Sequence, residues 1–286
     1  MTKIHPTAII DPSVKLAAGV TIGPWCVIGP DCEIGEGSEL VSHVHMDRHT
    51  RIGRENVLHP FTIVGGPPQD KKFAGERTTL EMGDRNHIRE FASIHRGTGN
   101  GGGATKMGSD NLVMGCVHIA HDCNIGSHVV LSNNAMLAGH VTVCDYVNVG
   151  GGCGLHHFVR LNTCAFLGAM ARVSKDVPPY MIAEGNPAEV RGHNAIAMQR
   201  RGFADAEVDA MKEAYKRLFR DRGGSIMEKV AKLRAEYPTF TSIAQVCDAV
   251  LEAGEGTHGR SQEALRPDDK RNHPSIAAAA STVPKK

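Results

Sequence analysis

Beginning at Ile4, an aliphatic residue returns at every sixth position, through Ile10, Leu16, Ile22, Ile28, Ile34, Leu40, Met46, Ile52, Leu58 and Val64. The pattern resumes at Met82, Ile88 and Ile94, and again from Met107 through Val113, Ile119, Ile125, Leu131 and Leu137 to Leu167 and Val173. Four positions after each aliphatic stands a second, mostly small residue, such as Ala8, Val20, Cys26, Cys32, Ser38, Cys123, Ala135, Cys153 and Ala165. A period of six matches neither the helical repeat of about 3.6 nor the simple alternation of a strand. It is the hexapeptide signature of a parallel β-helix, in which each unit forms one short flat side of a coil. About three units close a coil, so residues eighteen apart stack at roughly 4.8 Å.

The remaining composition agrees with such a prism. Only 5% of the 286 residues are aromatic, as suits a thin interior that admits aliphatic and small side chains. A net charge of +1 gives no reason to expect a nucleic-acid partner. There is no apolar run of membrane-spanning length and no signal-peptide core after Met1. The expectation is a cytoplasmic chain with no stable membrane insertion. Eight cysteines without a CxxC pair argue against a zinc ribbon or redox dithiol. Cys26, Cys32, Cys123 and Cys153 fall in the small inward slot and read as buried hydrophobes in a reducing compartment.

Two segments break the period. Residues 65–80 hold Gly-Gly, Pro-Pro and a charge cluster, and residues 98–106 are glycine-rich. Both are expected to leave the coil as excursion loops, and long loops on a strict solenoid usually serve function. The β-helix is assigned to residues 1–190, since the pattern ends near Pro178-Pro179. A C-terminal helical domain follows over 191–254. Its first stripe is Val208, Met211, Tyr215, Leu218 and Phe219, with Asp205 as N-cap. Ser225 and Glu228 suggest a capping box before Ile226, Val230, Leu233 and Tyr237. A third helix runs from about Ser242 to Glu252 and ends at Gly254. Residues 255–286, with few large apolar residues, are expected to be disordered.

Sixteen histidines are the chemically unusual feature. Coil arithmetic stacks His121 under Gly139, which adjoins His140, and puts His157 two coils on, with His156 beside it. Together with His118 they form a column of imidazoles on one face. A histidine next to a carboxylate, here Asp122, suits a general base with a fixed tautomer. Isolated His5, His43, His49, His87 and His128 read as surface or structural groups. Zinc is the competing chemistry, with His118 and His121 sharing a metal with a third ligand from another subunit. The carboxylate directly after His121 suits a base and its orienter better.

The segments QDKKFAGE (69–76), GDRNHIRE (83–90), IHRGT (94–98), GGGATKMGSDN (101–111), HIAHDC (118–123), LAGHVTV (137–143), DVPPYMIAEGNPA (176–188) and RRGF (200–203) closely resemble the UDP-N-acetylglucosamine O-acyltransferase family of lipid A biosynthesis. The resemblance runs from the first hexad to about Pro238. It implies a left-handed parallel β-helix, a homotrimer with active sites between subunits, and acyl-carrier protein as donor. The acyl-carrier thioester is then a co-substrate, and no cofactor or metal is implied. His121 matches the family's catalytic base, Asp122 its orienting neighbour and Gly139 the N–H donor to the oxyanion. His118, His140 and His156 match other active-site histidines. Asp70 and Lys72 match glucosamine contacts, and Asn194 and Arg200 match nucleotide contacts. His157 stands where glutamine is common, which bears on one nucleotide contact. Ala169, followed by Met170, occupies the position that sets acyl-chain length, where long-chain members carry glycine. Pro187 replaces a histidine found near the groove end in some members.

The leading expectation is therefore transfer of a (3-hydroxy)acyl chain to the 3-hydroxyl of UDP-N-acetylglucosamine or its 3-amino analogue. Three alternatives stand beside it. The related N-acyltransferase would carry a uridine-binding domain before the β-helix, whereas hexads here begin at Ile4. A γ-carbonic-anhydrase-like zinc enzyme would need stoichiometric metal but no helical domain. A solenoid scaffold would need neither HIAHD nor the loops. For an acidic acyl-carrier protein, Arg217, Arg220, Arg222, Lys212 and Lys216 are the candidate docking cations.

Overall fold

The computed structural model describes residues 1–256 and 259–265. Short strands, mostly of two residues, recur along the described residues and assemble into three sheets of 11, 9 and 8 strands, parallel throughout except for the last strand of the largest. The aliphatic positions explain these sheets. Ile22, Ile28, Leu40, Met46, Leu58, Ile88, Ile94, Ile119, Ile125, Leu131 and Leu137 are all fully buried, one on each flat side. Ile4, on the outermost coil described, is 50% exposed. The inward cysteines behave as small hydrophobes, and burial pushes the Cys123 thiol up to about 12.

From Gly19 onward most corners of the prism use one residue of positive φ. One edge carries Cys116, Asn134, Gly152 and Met170, a second Asp122, His140 and Phe158, and a third His128, Tyr146 and Cys164. The left-handed conformation disfavours most side chains, but a bond to the corner below offsets this, as when His140 N–H donates to the His121 carbonyl at 3.0 Å.

The two excursions shift the register without breaking it. Lys3 pairs with Thr21 and Val113 with Leu131, separations of 18 positions. Val57 pairs with His87 and His87 with Leu112, separations of 30 and then 25. Twelve and seven extra residues therefore leave the coil. The departures are shorter than 65–80 and 98–106, since strands Ile63–Gly66, Thr79–Met82 and Ala104–Met107 overlap both ranges.

An antiparallel hairpin, Met181–Glu184 with Glu189–His193, closes the last coil. The 190/191 boundary thus falls inside a strand. Among the described residues four α-helices follow: α1 (Ala195–Arg200), α2 (Asp205–Tyr215), α3 (Ile226–Glu236) and α4 (Thr241–Glu255). Residue Ala204, not Asp205, is the N-cap of α2, so Asp205 acts on the helix dipole from inside the first turn. Ser225 does precede α3, but its side chain makes no capping bond, so no capping box forms. Helix α4 passes Gly254 and stops at Gly256, which has a φ of 73°. The expected disorder from 255 onward is corrected in part: Gly259–Leu265 forms a 3-10 helix, and Arg260 N–H donates to Asp176 on the coil. The rest of that tail, 257–258 and 266–286, lies outside the described residues.

Candidate active site

Asp122 occupies a corner with φ 60°, and its carboxylate has no solvent exposure. Its Oδ2 accepts the Nδ1–H of His121 at 2.7 Å and the Thr98 hydroxyl at 2.7 Å. Its Oδ1 accepts the Thr98 N–H at 2.8 Å. Burial raises the Asp122 carboxyl, but these bonds from His121 and Thr98 outweigh it and bring the group below its ordinary value. The carboxylate therefore stays ionised at neutral pH, fixes the Nδ1–H tautomer and leaves the lone pair on His121 Nε2. Thr98 belongs to the second excursion loop. Gly101 closes that loop over Asp122, where a Cβ would lie 2.1 Å from the carboxyl carbon.

One coil on, the same packing explains Gly139. A Cβ there would sit 2.5 Å from His121 Cε1 and 2.8 Å from Nε2, so only glycine lets the ring keep its place. The N–H groups of Ala138 and His140 bond to Leu155 and His121 carbonyls at 3.1 and 3.0 Å, leaving the Gly139 N–H outside this ladder. The His140 ring stands perpendicular to His121 at 5.3 Å and stacks on Phe158 at 4.3 Å. Among the described residues, the metal-type donors at this edge are His121, Asp122 and His140, without His118. Both Asp122 oxygens already accept hydrogen bonds, so the group reads as a base with its orienter.

His118 is held by Ser93, with Nδ1 2.9 Å from the hydroxyl, and packs edge-on against His95 at 5.1 Å. Burial lowers both imidazoles below their ordinary value and favours neutral rings. His95 was not singled out from the sequence, because the seven extra residues hide its stacking neighbour. Its Nδ1 lies 2.5 Å from the Pro67 carbonyl, which pins the base of the first excursion loop. Further along that loop, Asp70 accepts the Lys72 N–H at 3.0 Å, so Asp70 shapes the turn that exposes Lys72. Glu76 then accepts the Gly99 N–H at 2.9 Å and ties the first loop to the second. The two loops and Asp122 thus form one connected assembly, although the structure does not place Asp70 and Lys72 in one cavity with His121.

His118, Ala138, His156, His157 and Arg172 line a cavity of about 400 Å³ on this face. A separate cavity of about 410 Å³ lies at the third edge, where the coil meets α1. Asn194 and Arg200 line it, as do His128, Tyr146, Asn148 and Arg201, none of which the sequence reading placed in a site. The Asn194 side chain is largely committed: Oδ1 caps Ala197 at 3.1 Å, and Nδ2 donates to the Cys164 carbonyl at 2.9 Å. Its structural work is to start α1 against the coil, which carries Arg200 to the cavity. Ala169 is exposed and Met170 is 74% exposed at the first edge, where a Cβ on Gly152 would lie 2.5 Å from the Met170 sulfur.

The helical domain separates the candidate docking cations. Arg217 bonds to Glu213 at 2.8 Å and Glu236 at 2.6 Å, and Lys216 lies 3.8 Å from Glu213. Arg220 and Arg222 are exposed on the same end of the domain.

Comparison with known proteins agrees with this construction. Residues 176–258 match the family model described as UDP-N-acetylglucosamine O-acyltransferase, domain 2, and residues 1–40 and 13–48 match the bacterial transferase hexapeptide model. The acyl-[acyl-carrier-protein]–UDP-N-acetylglucosamine O-acyltransferase of Verminephrobacter eiseniae is 44% identical over 253 residues, 88% of this chain and 96% of that protein. The protein of the same name from Stenotrophomonas maltophilia is 48% identical over 76% of this chain and 83% of its own length. LpxA of Acinetobacter baumannii superposes with a TM-score of 0.84 at 42% identity, covering 87% of this chain and 96% of that one. UDP-N-acetylglucosamine O-acyltransferase of Moraxella catarrhalis gives 0.83 at 41%, with 87% and 96% covered. A hexapeptide coil bearing a histidine oriented by a buried carboxylate, matched over nearly the full length of these relatives, makes the chain a left-handed parallel β-helix acyltransferase of the acyl-[acyl-carrier-protein]–UDP-N-acetylglucosamine O-acyltransferase family.

Proposed function

We propose that the chain transfers a (3-hydroxy)acyl group from acyl-carrier protein to the 3-hydroxyl of UDP-N-acetylglucosamine, the opening step of lipid A biosynthesis. The observation that carries this is the 2.7 Å bond from His121 Nδ1 to the enclosed Asp122 carboxylate. It leaves Nε2 ready to take the proton of a sugar hydroxyl, a poor nucleophile otherwise. The oxygen attacks the thioester carbonyl, and the tetrahedral oxyanion accepts the Gly139 N–H. Collapse expels the carrier thiolate, which recovers the proton from the His121 imidazolium. This sequence needs no metal or cofactor.

His118, His140 and His156 are assigned to substrate binding around the base, with Asp70 and Lys72 on the sugar. Arg200 and His157 are assigned to the nucleotide, with Asn194 holding α1. Ala169 and Met170 limit the acyl chain. In one chain the base, the Arg200 cavity and the Ala169 corner occupy three different edges of the prism. A three-fold homotrimer brings an edge of one subunit against another edge of its neighbour and so assembles a shared site. Acyl transfer by purified protein, assayed with the sugar nucleotide and a set of acyl-carrier donors, tests the reaction. Mixing inactive His121→Ala and Arg200→Ala subunits tests the shared site, with up to about a quarter of wild-type activity expected on reassembly. No recovery after proven subunit exchange places both groups in one subunit.

A further inference from the structure

Ligand atoms of His156, His157 and Glu263 lie within 4.8 Å of one another. Glu263 arrives from the 3-10 helix Gly259–Leu265, more than a hundred positions along the chain from the histidines. That segment is anchored to the last coil. Arg260 N–H lies 3.0 and 3.2 Å from the two oxygens of Asp176. Gly259, with φ 67°, packs so closely that a Cβ would reach 1.9 Å from the same carboxylate. The Arg260 guanidinium pairs with Oε2 of Glu263 and orients it. On the coil side, the His156 and His157 rings are 5.4 Å apart and inclined at 72°, an arrangement that does not stack them. His156 Nδ1 is buried and has no hydrogen-bond partner among the described residues.

Two imidazoles and a carboxylate are a donor set that zinc accepts in protein sites with one position left open. We propose that His156, His157 and Glu263 form a regulatory zinc site, separate from the catalytic histidine and dependent on the C-terminal segment. The same histidines line the cavity that contains His118. Zinc bound there draws on imidazoles assigned above to substrate and fastens the Gly259–Leu265 segment beside the cavity. Bound zinc therefore inhibits acyl transfer, a consequence that rests on the proposed function, whereas the binding site does not.

The test uses the full chain stripped with chelator and titrated with zinc chloride against a chromophoric zinc indicator. Wild type is expected to take up one zinc per subunit, and Glu263→Gln and His157→Ala to bind about tenfold or more weakly. His140→Ala controls for the donors around Asp122 and is expected to bind as wild type. Equal affinity in wild type and Glu263→Gln, or a loss confined to His140→Ala, overturns the site. In acyl-transfer assays Glu263→Gln should keep its basal rate and need about tenfold more zinc for half-inhibition. Zinc that binds at this site without inhibiting overturns the regulatory role and leaves the site standing. Zinc bound by a protein with no transferase activity leaves the site intact and removes the proposed reaction.

Discussion

Asp122 Oδ2 lies 2.7 Å from Nδ1 of His121, its immediate neighbour in the chain. Successive residues of an extended strand project to opposite faces. The left-handed corner at Asp122 breaks that alternation and brings the two side chains together. Asparagine tolerates this conformation but can offer an N–H to Nδ1 and so favour the wrong tautomer. Asp122→Asn should lower kcat by about two to four orders of magnitude with the sugar-nucleotide KM little changed. His121→Ala should fall by a similar factor, and the double variant no further. Turnover near wild type in either single variant removes this pair from the mechanism.

Gly139→Ala tests the contact on the other side of the imidazole. Its φ is not in the left-handed range, so the added methyl acts only through its 2.5 Å approach to His121 Cε1. The ring must move, which misplaces Nε2 relative to the hydroxyl. A loss of about a hundredfold in kcat is expected with unchanged thermal stability. A parallel fall in stability would point to damage in the coil.

Substitutions at Ala169 test what limits acyl-chain length. Each methylene buried in a groove is worth about 0.8 kcal/mol, several-fold in kcat/KM. Ala169→Gly should shift donor preference toward longer chains and Ala169→Met toward shorter ones, with the sugar-nucleotide KM nearly constant. If the three proteins share one chain-length profile, exposed Met170 at the same corner is the next residue to vary.

For carrier docking, the structure selects Arg220 and Arg222 over Arg217, whose guanidinium is held by Glu213 and Glu236. Arg220→Glu should raise the KM for the acyl donor several-fold, and added salt should mimic it by screening. Arg217→Ala should instead lower stability. A donor KM indifferent to both Arg220→Glu and salt excludes this face.

Acid should weaken the fold before the carboxylates titrate. Burial lowers His49, His59, His95, His118 and His193 from the ordinary 6.5. Below that value the unfolded chain binds more protons than the folded one, so stability is complete above about pH 6.5 and falls as the pH drops toward the folded values. Asp176 acts in the opposite sense and lower down, because burial raises its carboxyl above 3.8. Denaturant midpoints should therefore decline between about pH 7 and pH 5. A flat profile across that interval contradicts the neutral, buried state of these rings.

The six-residue period was enough to specify the coil, because outside the excursions and the closing hairpin each inward side chain meets the one eighteen residues away. Ile28 and Met46, or Ile119 and Leu137, stack by counting alone. His118, His121, Gly139, His140, His156 and His157 were legible for the same reason, lying beyond the second excursion where the count is unbroken. Other parts of the site were not. His95 meets His118 only after an insertion whose path the period does not describe. The closure of Thr98 and Gly101 over Asp122 and the tie between Glu76 and Gly99 depend on how two loops fold against each other. Asn194 could be named from its motif, but its commitment to Cys164 and Ala197 required the helical domain to dock. Glu263 lies in a segment that its composition marked as disordered, yet it reaches His156 and His157 through Arg260 and Asp176. Periodic contacts are local and repeat along the chain, so residue order carries them. Contacts across insertions, and between the tail and the coil, arise from three-dimensional closure, which residue order alone does not encode in any regular pattern.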